Sequence, residues 1–247
     1  MMSSQLSSSA ATNGTHKLRI LALHSFRTSA AIMKLQFEKA QMGRLSDIVE
    51  LVYLDAPNLA SGPIPRDVKP FFEGPYREWV TVEAMGDKLE FDSEKMERSM
   101  AAITTVMQEQ GPFDGVVGFS QGAIMAAAVT GLQAAGLALQ HLPRLKFCVL
   151  YAGMPVRYPG HAQAFASKVA IPSLHVYGDR DDLKVHCQEL ADTFANPVVI
   201  KHTRGHIIPA LNDYQMSVFR AFLSAFLTTP TPSLGSGGSS WVAAGTG

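Results

Sequence analysis

A serine flanked at two residues' distance by glycines is the first candidate for chemistry in this sequence. The run Gly118-Phe119-Ser120-Gln121-Gly122 follows an apolar, strand-like segment and opens a helix-like one. A nucleophilic serine placed there sits on a sharp, strained turn, so the residues two before and two after it must be small. The run therefore predicts a nucleophile elbow with Ser120 as the nucleophile. The alternative is a serine that only caps the following helix.

A serine hydroxyl becomes a good nucleophile only when a base takes its proton. His206 is the candidate base, because it lies on a loop directly after the last predicted strand and follows Gly205, which permits a turn. The other histidines lie in the N-terminal tail, on strands or in connecting regions without such neighbours. His202 and His206 are four residues apart, but no third ligand stands at metal spacing, so no metal site is predicted.

A carboxylate that orients the histidine should follow the penultimate strand, since hydrolases of this type carry serine, acid and histidine in that chain order. The run Gly178-Asp179-Arg180-Asp181-Asp182 occupies this position. Its spacing leaves three carboxylates open, and Asp182 is also a candidate N-cap of the next helix.

Backbone N–H groups must stabilise the negative charge that develops on an acyl oxygen. Gln121, directly after the serine, is predicted to supply one of them. The second is expected from the turn His24-Ser25-Phe26 after the first strand, with Phe26 as the donor. The alternative is a plain turn without a catalytic role.

Short apolar runs alternate with segments of helical period, which predicts an α/β fold with a mainly parallel sheet flanked by helices. The predicted strands are Leu18–His24, Glu50–Asp55, Asp114–Phe119, Lys146–Tyr151, Ser173–Tyr177 and Pro197–His202. The predicted helices are Ser29–Met42, Ser93–Glu109, Gln121–Leu132, Leu183–Phe194 and Asp213–Leu227.

One segment, residues 56–92, interrupts this alternation with five prolines and several aromatic residues. Long irregular insertions in a compact domain are usually functional. The segment is interpreted as a lid whose aromatic side chains line an apolar acyl pocket and favour medium or long acyl chains. The alternative is a rigid cover over one sheet edge. The aromatic residues in question are Phe71, Phe72, Tyr76 and Trp79.

Length and composition indicate one globular domain. Residues 17–227 are expected to form it, and the polar ends, residues 1–16 and 228–247, are expected to be flexible tails. Lys plus Arg equal Asp plus Glu at 21 each, with no basic run, so a nucleic-acid partner is not expected. No apolar stretch reaches the roughly 20 residues of a membrane-spanning helix.

Cysteine usage and the N-terminus together indicate a cytoplasmic protein. The two cysteines, Cys148 and Cys187, form no CxxC motif or disulfide framework, which suits a reducing compartment. The first residues have neither the basic and apolar regions of a secretory signal nor the arginines of a transit peptide.

Several separate motifs in order, over about Lys17 to Leu211, resemble the FSH family of serine hydrolases in the α/β-hydrolase superfamily. The motifs are Leu21–Arg27, Leu54-Asp55-Ala56-Pro57, Gly74-Pro75-Tyr76-Arg77-Glu78-Trp79, Gly111-Pro112-Phe113-Asp114-Gly115, Gly118–Ala123, Gly178–Asp181 and Gly205-His206-Ile207-Ile208-Pro209. The resemblance implies an α/β-hydrolase fold, a triad of Ser120, Asp181 and His206, and no cofactor. It departs at Ser25, where relatives often carry Gly, and at Asp179, where Glu or another residue is frequent.

These expectations combine into a carboxylesterase or thioesterase that cleaves a small-molecule ester or acyl thioester through an acyl-enzyme. Two other functions remain open. The fold can serve as a ligand-binding or scaffold protein, because fold alone does not determine function. The same triad can also support an acyltransferase or a lyase.

Overall fold

The computed structural model describes residues 17–66, 68–85 and 88–227, with the backbone alone of residues 84, 85 and 88. The two predicted tails lie outside the described residues. The strands are β1 (Leu18–Leu23), β2 (Val49–Leu54), β3 (Asn58–Leu59), β4 (Arg77–Glu78), β5 (Val82–Met85), β6 (Lys88–Phe91), β7 (Gly115–Phe119), β8 (Phe147–Tyr151), β9 (Ser173–Gly178) and β10 (Pro197–His202). The α-helices are α1 (Ala30–Lys39), α2 (Ser93–Gln110), α3 (Gln121–Ala134), α4 (Lys184–Asp192) and α5 (Asp213–Ser224). Two 3-10 helices span Met42–Leu45 and Pro159–Phe165.

Six strands form one parallel sheet in the order β10-β9-β8-β7-β1-β2. The chain therefore leaves β1 towards β2 on one side and later returns to add β7 on the other side. In open α/β sheets a ligand crevice forms outside the carboxyl ends of the strands at such a reversal. The loop after β1 and the loop after β7 meet at this point.

The sheet is covered on both faces, which explains why its central strands are almost continuously apolar. In β8, the side chains of Phe147, Val149 and Tyr151 belong to one core, which α1 and α5 help to form, and Cys148 and Leu150 belong to a second core that includes α2 and α3. The predicted class, an α/β fold with a mainly parallel sheet flanked by helices, is confirmed.

Several helix starts follow from capping residues. The side chains of Ser29, Asp92 and Asn212 accept backbone N–H bonds at the starts of α1, α2 and α5. α1 ends three residues before the predicted Met42, because Gln41 adopts a left-handed backbone (φ 59°) and a 3-10 helix follows. No helix in the described part of the chain is both long and apolar enough to cross a membrane.

The insertion differs from the irregular segment predicted. It holds two short antiparallel pairs, β3 with β4 and β5 with β6. Strands of two to four residues show too little alternation to be recognised easily, since period-two patterns need about four to eight residues.

Candidate active site

The backbone at Ser120 has the strained geometry that the flanking glycines permit. Ser120 has φ 55° and ψ −114°, and its N–H donates to the Tyr151 carbonyl at 2.9 Å. A Cβ on Gly118 would lie 2.2 Å from the Gly122 carbonyl oxygen, and a Cβ on Gly122 would lie 2.0 Å from that of Leu23. Side chains at either position would push β7, α3 and β1 apart. The strand-to-helix turn thus exposes the serine while its neighbours stay in close contact.

Three side chains from separate loops form a continuous hydrogen-bonded chain. His206 Nε2 lies 2.9 Å from Ser120 Oγ, and His206 Nδ1 lies 2.9 Å from Asp181 Oδ2. Because a carboxylate can only accept, Nδ1 carries the proton and Nε2 accepts from the serine hydroxyl. The ring of Phe119 packs on the imidazole at a centroid distance of 5.1 Å. This arrangement is able to remove the serine proton during attack on a carbonyl.

The three aspartates in the loop after β9 have different environments. Asp181 is buried, and its Oδ1 accepts from the Leu183 N–H at 2.9 Å. Asp179 is exposed and pairs with Lys184 Nζ at 2.9 Å. Asp182 is exposed, and the N-cap of α4 is Leu183 rather than the predicted Asp182. Asp181 is thus the aspartate that faces His206.

Backbone contacts hold the loop after β9 against the loop that carries His206. The N–H of Asp179 donates to the His202 carbonyl at 2.7 Å, and that of Arg180 donates to the Arg204 carbonyl at 3.2 Å. A Cβ on Gly178 would lie 2.1 Å from the Arg204 carbonyl oxygen. The two loops can approach this closely only because residue 178 is glycine.

The predicted oxyanion donors, Phe26 and Gln121, both line the cavity that contains Ser120. Among the described residues, neither backbone N–H donates to a protein acceptor. Gln121 is the first residue of α3, where backbone N–H groups have no partner within the helix. Two free donors therefore lie beside the serine, on the loops that meet at the sheet reversal.

The Gln121 side chain has a role that the sequence did not indicate. Its Oε1 accepts from the Trp79 N–H at 2.8 Å, and its Nε2 donates to the Val80 carbonyl at 2.7 Å. The Trp79 indole N–H donates to the His24 carbonyl at 2.8 Å. Trp79 thereby connects the start of α3 with the loop that carries Phe26.

His24 supports the same loop from inside. Its Nε2 accepts from the Ala56 N–H at 2.9 Å, so Nδ1 carries the proton and donates to the Ser25 carbonyl at 2.8 Å. Burial lowers the pKa of His24 to about 4. The imidazole is therefore neutral at neutral pH and suited to a structural hydrogen bond.

An apolar cavity of about 450 Å³ opens next to Ser120. Much of its wall comes from the hairpin β5–β6, from α3 and from the segment after β8. Its lining residues include Val82, Leu89, Phe91, Met96, Ile124, Met125, Val156, Tyr158 and His161. We call this space the acyl cavity.

The structure differs from the prediction that four aromatic residues of the insertion line such a pocket. None of them lines the acyl cavity. Trp79 is fully buried against His24, and Phe71 is 69% exposed. Tyr76 donates to the Phe72 carbonyl at 2.6 Å, and the Phe72 ring lies under Lys39 Nζ. The four rings therefore do not form part of the wall of the cavity beside Ser120.

The sequence does contain a pattern that indicates the hairpin β5–β6, which lines the cavity. Val82 alternates with Glu83 before the dipeptide Gly86-Asp87, and Leu89 and Phe91 alternate with Glu90 after it. A turn dipeptide between two alternating runs is typical of a hairpin. The short length of each run concealed it.

A buried ionic cluster anchors the insertion to the domain. Glu78 is fully buried and pairs with Arg27 at 2.8 Å and with Lys95 at 2.7 Å. Ser61 and Thr81 also donate to it. Burial alone would raise the pKa of Glu78, but these hydrogen bonds lower it to about 2. Arg27 directly follows Phe26, so the cluster also restrains the proposed oxyanion loop.

Comparison with known proteins adds a family and relatives. The family model described as serine hydrolase (FSH1) matches residues 12–218. Esterase OVCA2 of Xenopus tropicalis is 32% identical over 228 residues, which cover 85% of this chain and 94% of that protein. Rhodanese-like domain-containing protein 6 of Arabidopsis thaliana is 33% identical over 90% of this chain, which spans only 42% of that relative's length. The crystal structure of acyl-protein thioesterase 2 from Zea mays superposes with a TM-score of 0.58 at 23% identity, covering 89% of this chain and 97% of that one, and shows the fold alone.

Proposed function

Because the chain belongs to the FSH1 family of serine hydrolases, we propose that it is an esterase or thioesterase in which Ser120, His206 and Asp181 form the catalytic triad. The hydrogen-bonded chain from Ser120 Oγ through His206 to Asp181 carries this proposal. The strained backbone of Ser120 supports it, because strain at a serine between a strand and a helix is typical of a nucleophile elbow.

The first half of the reaction acylates the serine. His206 Nε2 takes the Ser120 hydroxyl proton while Oγ forms a bond to the substrate carbonyl carbon. The negative charge on the carbonyl oxygen is stabilised by the backbone N–H groups of Phe26 and Gln121. The C–O or C–S bond then breaks, and the alcohol or thiol leaves with the proton from Nε2.

The second half releases the acid. His206 Nε2 takes a proton from a water molecule, whose oxygen attacks the acyl-enzyme carbonyl. The bond to Ser120 Oγ breaks, and the proton returns to the serine. Asp181 keeps Nδ1 protonated throughout and stabilises the imidazolium. The mechanism uses no cofactor.

The substrate is a small-molecule ester or thioester with an apolar acyl group. The volume and the apolar side chains of the acyl cavity support this choice. Each methylene that moves from water into such a cavity contributes about 0.8 kcal/mol. Medium or long acyl chains are therefore favoured over acetyl groups.

The proposal is tested by labelling with a fluorophosphonate probe, which reacts rapidly only with an activated serine, followed by peptide mapping. We expect a label on Ser120 in the wild-type protein and none at that position in Ser120→Ala. Turnover of p-nitrophenyl decanoate should fall by several orders of magnitude in this variant, about 10³-fold or more, while its melting temperature stays near that of the wild type.

A folded wild-type protein that resists the probe would contradict the triad and favour a ligand-binding or scaffold role on the same fold. Activity that appears only when a second alcohol or thiol is added would instead identify an acyltransferase.

A further inference from the structure

The wall of the acyl cavity has parts of different chemistry. One part consists of apolar side chains from the hairpin β5–β6 and from α3, among them Val82, Leu89 and Ile124. Another part of the wall comes from residues 154–161, which contribute apolar side chains and also the polar side chains of Arg157, Tyr158 and His161. An acyl chain in this space therefore meets mostly hydrocarbon, with polar groups contributed by residues 157–161.

His161 has hydrogen-bonding capacity that the protein leaves unused. The residue is 8% exposed, and its Nδ1 is buried without a partner. Neither ring nitrogen forms a hydrogen bond within the part of the chain that the structure describes. The two ring nitrogens of His24 and of His206 are, by contrast, all hydrogen bonded. Nδ1 is closed to solvent, whereas Nε2 is not among the buried unpartnered atoms of the described residues, so Nε2 is the ring nitrogen that a bound molecule can reach.

The ring is held in place and is uncharged. The Tyr158 ring packs edge-on against it at a centroid distance of 4.8 Å. Burial lowers the pKa of His161, which keeps the imidazole neutral at neutral pH. A neutral imidazole presents one donor and one acceptor nitrogen, and it therefore suits a neutral oxygen substituent.

The presence of Arg157 does not make the cavity better suited to an anionic substituent than to a neutral one. Its guanidinium already lies 3.5 Å from Glu189 Oε2 and 3.3 Å from His186 Nδ1. An anionic acyl group would have to compete with Glu189 for it. The neutral nitrogens of His161 have no such competitor.

We propose that His161 is a specificity-determining residue that hydrogen-bonds a hydroxyl or ketone oxygen partway along the substrate's acyl chain. The preferred substrates are then oxygenated acyl esters or thioesters rather than plain fatty acyl compounds. This inference rests on the proposed function, since it assigns the acyl group to the cavity beside Ser120. A site that hydrogen-bonds a polar substituent of its substrate discriminates strongly against analogues that lack this substituent.

The test compares p-nitrophenyl decanoate with a set of oxodecanoates that carry the ketone at successive carbons. For at least one ketone position, we expect the wild-type ratio of kcat/KM, oxodecanoate over decanoate, to exceed that of His161→Phe by about tenfold. Phenylalanine keeps a planar ring against Tyr158 and removes both nitrogens. The ratio is the readout, because the substitution alters the cavity for both substrates.

Two further variants make the result specific. His161→Gln restores a donor and an acceptor and should recover part of the preference, which a purely structural role would not do. His141→Phe makes the same chemical change at an exposed position outside the cavity and should leave every ratio unchanged.

Equal ratios in the wild type and both His161 variants at all ketone positions would overturn the inference while decanoate hydrolysis continued. Decanoate hydrolysis that persisted in Ser120→Ala would overturn the proposed function instead.

Discussion

Among the residues of the candidate site, burial distinguishes carboxylates that look alike in the sequence. Asp181 is 5% exposed and has one oxygen on His206 and the other on a backbone N–H. Asp179 stands two residues earlier but points to solvent and to Lys184. Only a carboxylate that contacts Nδ1 can hold the imidazole in the tautomer that leaves Nε2 free to accept the serine proton.

This difference predicts unequal effects of two identical substitutions. Asp181→Asn should lower kcat by about 10³-fold or more, because an amide beside Nδ1 favours the wrong tautomer. Asp179→Asn should change kcat by less than about twofold, since exposed ion pairs contribute little. The measurement is the turnover of one p-nitrophenyl ester by both variants, with circular dichroism as the folding control. A larger loss of kcat in Asp179→Asn than in Asp181→Asn would show that Asp179 is the carboxylate that orients His206.

At the scale of elements, the insertion performs two separate tasks. Its hairpin β5–β6 forms an apolar wall of the acyl cavity, with Val82 and Leu89 on the lining. Its β4 end, through Trp79 and Glu78, connects the insertion to the elbow and to the loop after β1. Among the described residues of the insertion, the hairpin residues Val82, Leu89 and Phe91 line the cavity, and the four aromatic residues predicted there do not.

The hairpin wall predicts a change in acyl-chain preference. In the double variant Val82→Ala and Leu89→Ala, kcat/KM for dodecanoyl esters should fall by about fivefold, since contacts with distal methylenes are lost. Acetyl and butyryl esters, which do not reach the hairpin, should be hydrolysed at nearly the wild-type rate.

Phe71→Ala is the matched control, because this exposed ring lies outside the cavity and its loss should leave the chain-length profile unchanged. If the chain-length profile changed in Phe71→Ala and not in the hairpin variant, the acyl chain would contact the aromatic residues and not the hairpin.

The position of Trp79 predicts an effect on the transition state. Trp79→Phe removes the indole hydrogen bond to the His24 carbonyl and should loosen the loop that carries Phe26. We expect kcat to fall about tenfold with KM little changed, because oxyanion contacts strengthen in the transition state.

The affinity for a trifluoromethyl ketone inhibitor should weaken in proportion to the loss in kcat. Tyr76→Phe deletes another hydrogen bond within the insertion, to the Phe72 carbonyl, and should leave both quantities unchanged. A decrease in kcat with full inhibitor affinity would show that Trp79 acts elsewhere.

For the whole molecule, buried histidines link stability to pH. Burial lowers the pKa of His24 to about 4 and that of His175 to about 3, from 6.5. The unfolded chain therefore binds protons at a higher pH than the folded protein does. The stability that these neutral rings provide is present above pH 6.5 and is lost as the pH falls through the window below it.

We therefore expect the free energy of unfolding to fall by about 2–4 kcal/mol between pH 7.5 and pH 5, with each ring contributing up to about 1.4 kcal/mol for each pH unit below 6.5. Urea unfolding at the two pH values measures this decrease in the free energy of unfolding. His141→Gln alters an exposed histidine and should leave the pH dependence unchanged. Equal stability at both pH values would show that the folded protein accepts protons at these positions.

A second acid-sensitive group follows at lower pH. Glu78 has a folded-state pKa near 2 against an ordinary value of 4.5, so its contribution is present above pH 4.5 and is lost as the pH falls towards 2. Both effects act in the same direction. The molecule is consequently expected to lose the anchor of its insertion under acid conditions, after the histidines have begun to protonate.

Features that depend on local chemistry could be predicted from the order of the amino acids. The inner strands β1, β7, β8 and β9 are recognisable because strands buried on both faces are largely apolar, whereas the edge strands β2 and β10 carry the exposed residues Glu50 and Lys201. The starts of α2, α3 and α5 match the predicted residues, since capping residues and turns act over one or two turns of chain. Ser120 and His206 could be proposed as nucleophile and base because such residues need particular neighbours, here Gly118, Gly122 and Gly205.

Which side chains contact one another became clear from the folded structure alone. Spacing alone left three aspartates open, and the resemblance pointed to Asp181, but its burial against His206 depends on two loops that meet across Gly178. The wall of the acyl cavity likewise joins segments that are distant along the chain, and so does the contact of Gln121 with Trp79. Contacts of this kind depend on how packed elements approach one another, and a local pattern of residues does not encode that approach.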